Sequence, residues 1–334
     1  MDLLLMITKD LSYILVQYPL YSLIASVILF GILLRFYCRL TLGRFEDDQS
    51  MDGKTVLITG ASDGIGKSTA LDLAKRNARV LMACRNLEKA GKVVEEIKKA
   101  SGNHNVVLYH LELSSFASVR KCAEEVLKNE KELHVLINNA GISGIPRRLS
   151  EDGCEVLMQT NHFGHFLLTL LLLDLLKKCT PSRIINVSSE AHLFARLNLD
   201  DLTNRQQLRP GLVYCNSKLV NILFTRELAE RLDGTGVTVN ALHPGCVKTS
   251  IFRGKTDIIS LLSKFLFFIV GKNSEEGAQT TIRLAVDPKL EKTNGKYFSD
   301  CKEAKISKDA KDKSQAKRLF EISEQVVGKT FLKS

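Results

Sequence analysis

Tyr214 and Lys218 stand four residues apart, a spacing that puts both side chains on one face of a helix and lets them converge on one ligand. A phenol titrates near pH 10, roughly, and is a poor proton donor or acceptor at neutral pH, but a nearby ammonium favours the phenolate and lowers that value. The pair could therefore exchange a proton with a bound oxygen. Taken alone, Tyr-x-x-x-Lys is a frequent accident whose ordinary explanation is a solvated helix face. The reading changes because Ser188-Ser189 precedes the pair, and because a glycine-rich segment lies far upstream.

That segment is Thr59-Gly60-Ala61-Ser62-Asp63-Gly64-Ile65-Gly66, preceded by the apolar Val56-Leu57-Ile58 and followed by helix formers from Lys67. Glycines there let the backbone turn tightly and approach a pyrophosphate, which then sits at the positive end of a helix. A plain tight turn also needs glycine, but placement between a strand and a helix points to a nucleotide. With a nicotinamide dinucleotide in place, its cationic oxidised ring would lower the phenol further. Tyr214 could then exchange a proton with the substrate oxygen while hydride passes between nicotinamide and substrate carbon.

NAD-selective sites place an acidic residue at the end of the second strand against the ribose 2′-hydroxyl; here that position reads Ala83-Cys84-Arg85-Asn86. A guanidinium favours a 2′-phosphate through paired, charged hydrogen bonds, so NADP(H) is the expected cofactor and NAD the alternative. Arg85 could instead pair with a helix at the surface, or stack on adenine whichever dinucleotide binds.

These residues need elements to carry them. Strands are expected near Val56–Thr59, Arg79–Cys84, Val106–His110, Val135–Asn138, Ile184–Ser188 and Val237–Leu242, with helices near Lys67–Arg76, Leu87–Ala100, Phe116–Asn129, Glu155–Lys178 and Tyr214–Arg231. Strands such as Val56-Leu57-Ile58-Thr59 and Val135-Leu136-Ile137-Asn138 are apolar runs and not alternations, as in parallel strands covered on both faces. The expectation is an α/β fold, a Rossmann-type doubly wound parallel sheet in a single domain over 53–334 with right-handed crossovers.

The 334 residues are 45% apolar and 25% charged, the composition of a folded globular chain and not of a disordered one. A net charge of +10 suits nucleic acid, an anionic membrane or an anionic cofactor; no basic stretch carries interleaved aromatics, so nucleic acid is not expected. Eight cysteines lack any Cys-x-x-Cys pair, which points to a reducing compartment and no structural zinc. No His-Glu-x-x-His pattern or other ligand cluster occurs, so no metal is expected; His162 and His165 read as packing or pocket residues.

Residues 11–34 form 24 uncharged positions, enough to cross a hydrocarbon core of about 30 Å as a helix, with Pro19 a candidate kink. The run is too long for a signal-peptide core and lacks a basic upstream flank. Arg35, Arg39 and Arg44 follow it, whereas Lys9 is offset by Asp2 and Asp10. The positive-inside bias thus predicts a short lumenal segment 1–10, a single-pass anchor, a basic linker 35–52 and a folded domain facing the cytosol. The sequon Asn186-Val187-Ser188 falls in an expected buried strand and reads as chance.

The G-x-x-x-G-x-G spacing resembles that of the short-chain dehydrogenase/reductase family. Further motifs of that family follow in order: Asn138-Asn139-Ala140-Gly141, Asn161, Ser188-Ser189, Tyr214-x-x-x-Lys218 and Pro244-Gly245. The resemblance implies catalytic roles for Asn161, Ser189, Tyr214 and Lys218: Lys218 also holds the nicotinamide ribose, Ser189, the second of its pair, hydrogen-bonds the substrate oxygen, and Asn161 positions Lys218 through a water. It implies cofactor contacts from Gly60, Ser62, Asp63, Gly64, Ile65, Gly66, Arg85, Asn86, Glu112, Leu113, Asn139, Ala140, Gly141, Tyr214, Lys218, Pro244, Gly245, Val247 and Thr249, with the Val247-Lys248-Thr249 segment at the nicotinamide carboxamide. Glu112 stands where the family usually has Asp, a longer acceptor facing adenine.

The chain is most similar to the membrane-anchored retinol dehydrogenase branch, through Tyr214-Cys215-Asn216-Ser217-Lys218-Leu219, His243-Pro244-Gly245 and Gly295-Lys296-Tyr297-Phe298-Ser299-Asp300-Cys301. That implies retinol/retinal interconversion at the endoplasmic reticulum membrane. The apolar stretch 258–270 falls in the family's variable lid, about 249–271, implying an apolar substrate and lid contact with the bilayer; a buried core helix is the alternative. The same residues would serve a steroid, fatty-aldehyde or xenobiotic carbonyl reductase, and a nucleotide-binding scaffold without turnover is the reading from another class. A homo-oligomer stays open. The lysine-rich stretch 302–318 is expected to be solvated or to rest on anionic lipid.

Overall fold

The structure is a computed structural model describing residues 18–203, 209–247 and 271–331. Thr249, Lys248 and all of the expected lid except Gly271 lie outside the described residues, as do 1–17. Helix α1 spans Pro19–Leu40, and its Tyr21–Leu40 stretch is long and apolar enough to cross a membrane, with mean hydropathy 2.0. Pro19 begins this helix at a position where its missing N–H costs nothing, so the expected kink becomes a start. The helix also runs past Leu34 through Arg35 and Arg39.

In the larger unit, strands and helices alternate as β1 (Thr55–Thr59), α2 (Gly64–Lys75), β2 (Arg79–Cys84), α3 (Leu87–Ser101), β3 (Val106–His110), α4 (Phe116–Asn129), β4 (Val135–Asn138), α5 (Gly164–Lys178), β5 (Ser182–Val187), α6 (Pro210–Arg231), β6 (Val237–His243) and α7 (Ser274–Val286). Two short strands, β7 (Tyr297–Ser299) and β8 (Lys302–Glu303), and helix α8 (Lys313–Val327) follow. The sheet order is β3-β2-β1-β4-β5-β6-β7-β8, parallel up to β7, with β8 antiparallel. The order reverses between β1 and β4, the crevice where doubly wound sheets bind ligands.

Strands β1, β4 and β6 are buried throughout, which is why β1 and β4 read as apolar runs through Val56-Leu57-Ile58 and Val135-Leu136-Ile137, while β6 carries buried polar Thr238 and Asn240 among its apolar residues. The sheet separates two cores. One holds α4, α5, α6 and α8 around Phe163, Phe166, Phe224 and Phe320; the other holds α2, α3 and α7 around Leu73, Ile97 and Ile282. Val156–Lys178 is apolar enough to span a membrane, but 94% of its apolar window is buried, so it is a core helix. Asn186 is 2% exposed and bonded to Asn138 and Thr225, leaving no acceptor for a glycan.

One expectation needs correction and one needs narrowing. The single helix over Glu155–Lys178 is a short turn, Val156–Met158, then a π-helical turn, Gln159–Phe163, then α5. The lysines of the 302–318 stretch are exposed, but Ala310 and Ala316 among them are buried, and Ala316 with Leu319 and Phe320 just beyond turns one face of α8 into the core.

Candidate active site

The site begins at the carboxyl end of β1. Gly60 has φ +68°, and a Cβ there would lie 2.9 Å from the Cα of Ala140; a Cβ on Gly66 would lie 2.5 Å from the Gly60 carbonyl oxygen. Neither position has room for a side chain, so backbone N–H groups at the start of α2 stay open to an anion. Asp63 caps α2 through Oδ1, 2.8 Å from the Gly64 nitrogen, and its Oδ2 pairs with Lys89 Nζ at 2.8 Å. Ser62 hydrogen-bonds the buried Cys84 thiol, and Ile65 packs towards Gly277 on α7.

Thr59 ties this turn to the next. Its Oγ accepts from the backbone N–H groups of Asn139 (2.9 Å) and Ala140 (3.0 Å), and Asn139 Nδ2 donates back to the Thr59 carbonyl at 2.8 Å. The Asn161 carbonyl, 3.3 Å from His165 Nδ1, can only accept, so His165 is the Nδ1–H tautomer. Its Nε2 then accepts from the Thr59 hydroxyl at 2.9 Å, nearer than that hydroxyl's other acceptor, the Ile137 carbonyl at 3.4 Å. Burial, its largest influence, pushes the His165 pKa down to about 3, so the ring is a neutral connector. His162 is likewise pushed to about 3 by burial and bonds Ser323 on α8 through Nε2. Among the described residues no His, Cys, Asp and Glu groups gather as a metal site.

Asn161 sits in the π-helical turn, a distortion common at functional sites because it re-aims side chains. Its Oδ1 accepts from the Ile142 nitrogen at 2.9 Å, and its Nδ2 donates to the Ile142 carbonyl at 3.1 Å and to Ser217 Oγ at 3.0 Å. It thereby joins the Asn139–Gly141 turn directly to α6. A Cβ on Gly141 would stand 3.5 Å from both Asn161 Oδ1 and Lys218 Nζ.

Tyr214 and Lys218 lie on α6, which starts at Pro210, a turn earlier than the sequence suggests. Lys218 Nζ is 5.5 Å from the Tyr214 ring centre and donates to the Val187 carbonyl at 3.1 Å. Burial pushes the Lys218 ammonium down to about 8 and, contrary to the lowering expected from a neighbouring ammonium, holds the Tyr214 phenol above its usual value, against a smaller opposing effect of the hydrogen bond with Ser189. Ser188 and Ser189 point differently. Ser188 Oγ donates to the Lys218 carbonyl at 2.7 Å and is buried, whereas Ser189 caps the 3₁₀ turn Glu190–Phe194 and reaches Tyr214.

The expected adenosine end is built from charge pairs. Arg85 is two-thirds exposed with its Nε 3.4 Å from Glu112 Oε2; Glu112 also accepts from Ser114 Oγ at 2.6 Å, and Leu113 beside it is buried. Asn86 is the N-cap of α3, accepting from the Lys89 nitrogen at 2.8 Å. At the other end Gly245 has φ +89°, following Pro244, and Val247 bridges to Lys272.

Three residues are given no role by the motifs, although Thr59 and Asn216 stand inside quoted ones. Thr59 and His165 form the link described above. Asn216, between Tyr214 and Lys218, is buried and holds the chain after Ser189 from both sides: its Oδ1 accepts from the Arg196 nitrogen at 2.8 Å and its Nδ2 donates to the Arg196 carbonyl at 3.1 Å. A polar side chain on the otherwise apolar flank of the Tyr-Lys helix was the available signal.

A short chain dehydrogenase family model matches residues 54–258. Retinol dehydrogenase 14 of Homo sapiens is 47% identical over 304 residues, covering 86% of this chain and 90% of the relative. Retinol dehydrogenase 11 of Homo sapiens is 43% identical over 312 residues, covering 93% and 98%. Among solved structures, an uncharacterised protein from Mycobacterium paratuberculosis superposes with a TM-score of 0.69 at 34% identity, covering 85% of this chain and 97% of that one. The RhlG/NADP active-site complex of Pseudomonas aeruginosa superposes with a TM-score of 0.62 at 26% identity, covering 76% and 97%.

Proposed function

The chain belongs to the short chain dehydrogenase family and is an oxidoreductase using a nicotinamide dinucleotide, and from that premise we propose that it interconverts retinal, or a similar lipid aldehyde or ketone, with its alcohol using NADP(H). The observation that carries the reading is the meeting of Ser189, Tyr214 and Lys218 at the carboxyl ends of β5 and β6, beside a glycine turn closed to side chains. The retinol dehydrogenases it resembles support a lipophilic substrate.

In the reducing direction Tyr214 gives its phenolic proton to the substrate oxygen as that oxygen becomes an alcohol. Burial keeps the phenol protonated at neutral pH, the state a donor needs. Ser189 hydrogen-bonds the same oxygen and fixes its distance from Tyr214. Lys218 presents its ammonium to the ribose hydroxyls and the phenol, and Asn161 holds the Asn139-Ala140-Gly141 turn against α6. The dinucleotide, when bound, supplies the hydride. Gly60–Gly66 would hold its pyrophosphate at the start of α2, Arg85 and Asn86 its 2′-phosphate, Glu112 and Leu113 its adenine, and Pro244, Gly245, Val247 and Thr249 its carboxamide.

Membrane association is supported by α1 and by the relatives. We place the chain as a single-pass protein of the endoplasmic reticulum membrane with its catalytic residues facing the cytosol, a reading supported by Arg35, Arg39 and Arg44 following the apolar run.

The test is loss of reduced-nicotinamide absorbance by detergent-solubilised protein given all-trans-retinal with NADPH or NADH. Turnover with NADPH supports substrate and cofactor together; turnover only of other carbonyls discards the retinoid, and none with any carbonyl leaves a nucleotide-binding scaffold. Tyr214→Phe should lower kcat by about 10²–10⁴-fold, with NADPH affinity unchanged. Full turnover in that variant would remove Tyr214 from the mechanism.

A further inference from the structure

Ser189 must be held at a fixed place if it is to share an oxygen with Tyr214, and the 3₁₀ turn that carries it is short and half exposed at its tip: Leu193 and Phe194 are 55% and 73% exposed. What secures its buried side is His192. Its backbone N–H donates to the Ser189 carbonyl at 3.1 Å, and its ring Nδ1 lies 2.8 Å from the same carbonyl. A carbonyl only accepts, so Nδ1 carries the hydrogen. Nε2 must then accept, and it does so from the backbone N–H of Ser307 at 3.3 Å. The ring is 2% exposed and packs edge-on against Tyr297 of β7, with centroids 5.3 Å apart.

Ser307 belongs to the C-terminal stretch that also grips the Tyr-Lys helix. The Ala304 nitrogen donates to the Tyr297 carbonyl at 2.8 Å, the Ala310 nitrogen to Ser307 Oγ at 3.2 Å, and Arg226 of α6 donates to the Ala310 carbonyl at 2.6 Å. One stretch of backbone, 304–310, therefore joins the turn bearing Ser189 to the helix bearing Tyr214 and Lys218.

We propose that His192 is a positioning residue for the reaction: its neutral Nδ1–H form fixes the Ser189 carbonyl and, through Ser307, references Ser189 to the Tyr214 helix. This rests on the oxidoreductase reading of the Ser189–Tyr214 site. The alternative is a purely structural ring filling space against Tyr297. Charged and titratable groups face the ring from Glu190 on its own turn and from His243 on β6, themselves paired at 3.5 Å, and from Tyr297 on β7. Adding a proton to Nε2 would turn an acceptor into a donor against the Ser307 N–H, so His192 serves only while neutral.

The two hydrogen bonds can be separated by amide substitution. In His192→Asn, the side-chain nitrogen replaces Nδ1 and keeps the bond to Ser189, losing Ser307. In His192→Gln, the longer amide reaches Ser307 with its oxygen and gives up the bond to Ser189. Both lose the ring contact with Tyr297. The full-length chain in detergent is assayed for kcat with all-trans-retinal and NADPH, or with nonanal if the wild type does not take retinal, alongside NADPH affinity by fluorescence and thermal midpoint. Because each variant cuts one of the two bonds that reference Ser189 to the Tyr214 helix, we expect kcat at least tenfold below wild type in both, with similar midpoints and unchanged NADPH affinity.

Losses of kcat that only track a lowered midpoint would overturn the proposal, as would full kcat in either variant. Tyr214→Phe, run in parallel, separates the two levels. If it too turns over normally, the reading of the site has failed; if it alone is inactive, only the role of His192 has.

Discussion

The two sides of the candidate site are built differently. On the dinucleotide side, Thr59, Asn139, Ala140 and His165 are all drawn from β1, β4 and the start of α5, elements adjacent in the sheet and carrying recognisable motifs. On the substrate side, His192 holds Ser189 and Asn216 holds the chain at Arg196, and the stretch that anchors His192 and α6, 304–310, comes more than 80 residues after α6 begins. The dinucleotide side is built from segments close in sequence to the glycine-rich and Asn139-Ala140-Gly141 motifs, so short motifs mark it. The substrate side answers to long-range packing, and short motifs do not record it.

Acid should discriminate these halves with the largest effect. His165 serves the dinucleotide side and His162, three residues earlier, serves α8 through Ser323. Both have pKa values depressed to about 3 by burial. The unfolded chain takes up these protons near pH 6.5 and the folded chain does not, so their stabilisation is complete above about pH 6.5 and is lost as pH falls. Each costs about 1.4 kcal/mol per pH unit, so going from pH 6.5 to 5 should remove about 4 kcal/mol and lower Tm by about 8–16 °C. His162→Phe, placed among Phe163, Phe166 and Phe224, should halve that loss. A Tm flat over this range would mean that both rings accept protons without unfolding.

Thr59→Val probes the dinucleotide side alone. The shape is kept, but two backbone N–H groups and His165 Nε2 lose their partner; unsatisfied buried groups cost about 1–3 kcal/mol each. We expect a loss of about 3 kcal/mol and weakened NADPH binding. Unchanged NADPH affinity would separate the Asn139–Gly141 turn from cofactor binding. Asn216→Leu probes the other side, leaving the Arg196 N–H and carbonyl unpaired. It should lower kcat by about tenfold, or about 1.4 kcal/mol, with NADPH affinity intact; a change in affinity instead would show that the two sides are not independent.

How far the fold was legible follows the same division. Strands β1, β2 and β4 carry continuous apolar runs, and β3, β5 and β6 are short, mainly apolar segments bounded by turn residues, so composition and length place all six. Strand β7 has three residues and β8 two, too short for any period, so the sheet's far edge was not readable. The π-helical turn at Asn161 leaves no mark on the apolar pattern of its helix. Helix α8 did carry a signal, Ala316, Leu319, Phe320, Ser323 and Val327 at helical spacing, beneath a density of lysines that reads as a solvated surface. Of the site, the motif residues were legible, but the connecting roles of Thr59, His165, His192 and Asn216 were not, two of them even standing inside motifs, because each acts through a partner distant in sequence.

The smallest effect concerns the point where the two dinucleotides differ. Arg85 is exposed, and its nearest acid is Glu112 at 3.4 Å, so its charge is shared before any phosphate arrives. A second cation, Lys89, is similarly engaged by Asp63. An exposed pair of this kind contributes about 0–1 kcal/mol, and a 2′-phosphate carrying more negative charge than one carboxylate should displace Glu112 from the guanidinium. Arg85→Ala should therefore reduce the preference for NADPH over NADH by about tenfold, mainly by weakening NADPH, with little change in kcat at saturating cofactor. Glu112→Gln sharpens the argument in the opposite direction: any change at the adenine is common to both cofactors, while the freed guanidinium should raise the preference for NADPH over NADH several-fold. If Arg85→Ala weakened both cofactors equally, the guanidinium would be stacking on adenine, and the preference for a phosphorylated dinucleotide would need another source.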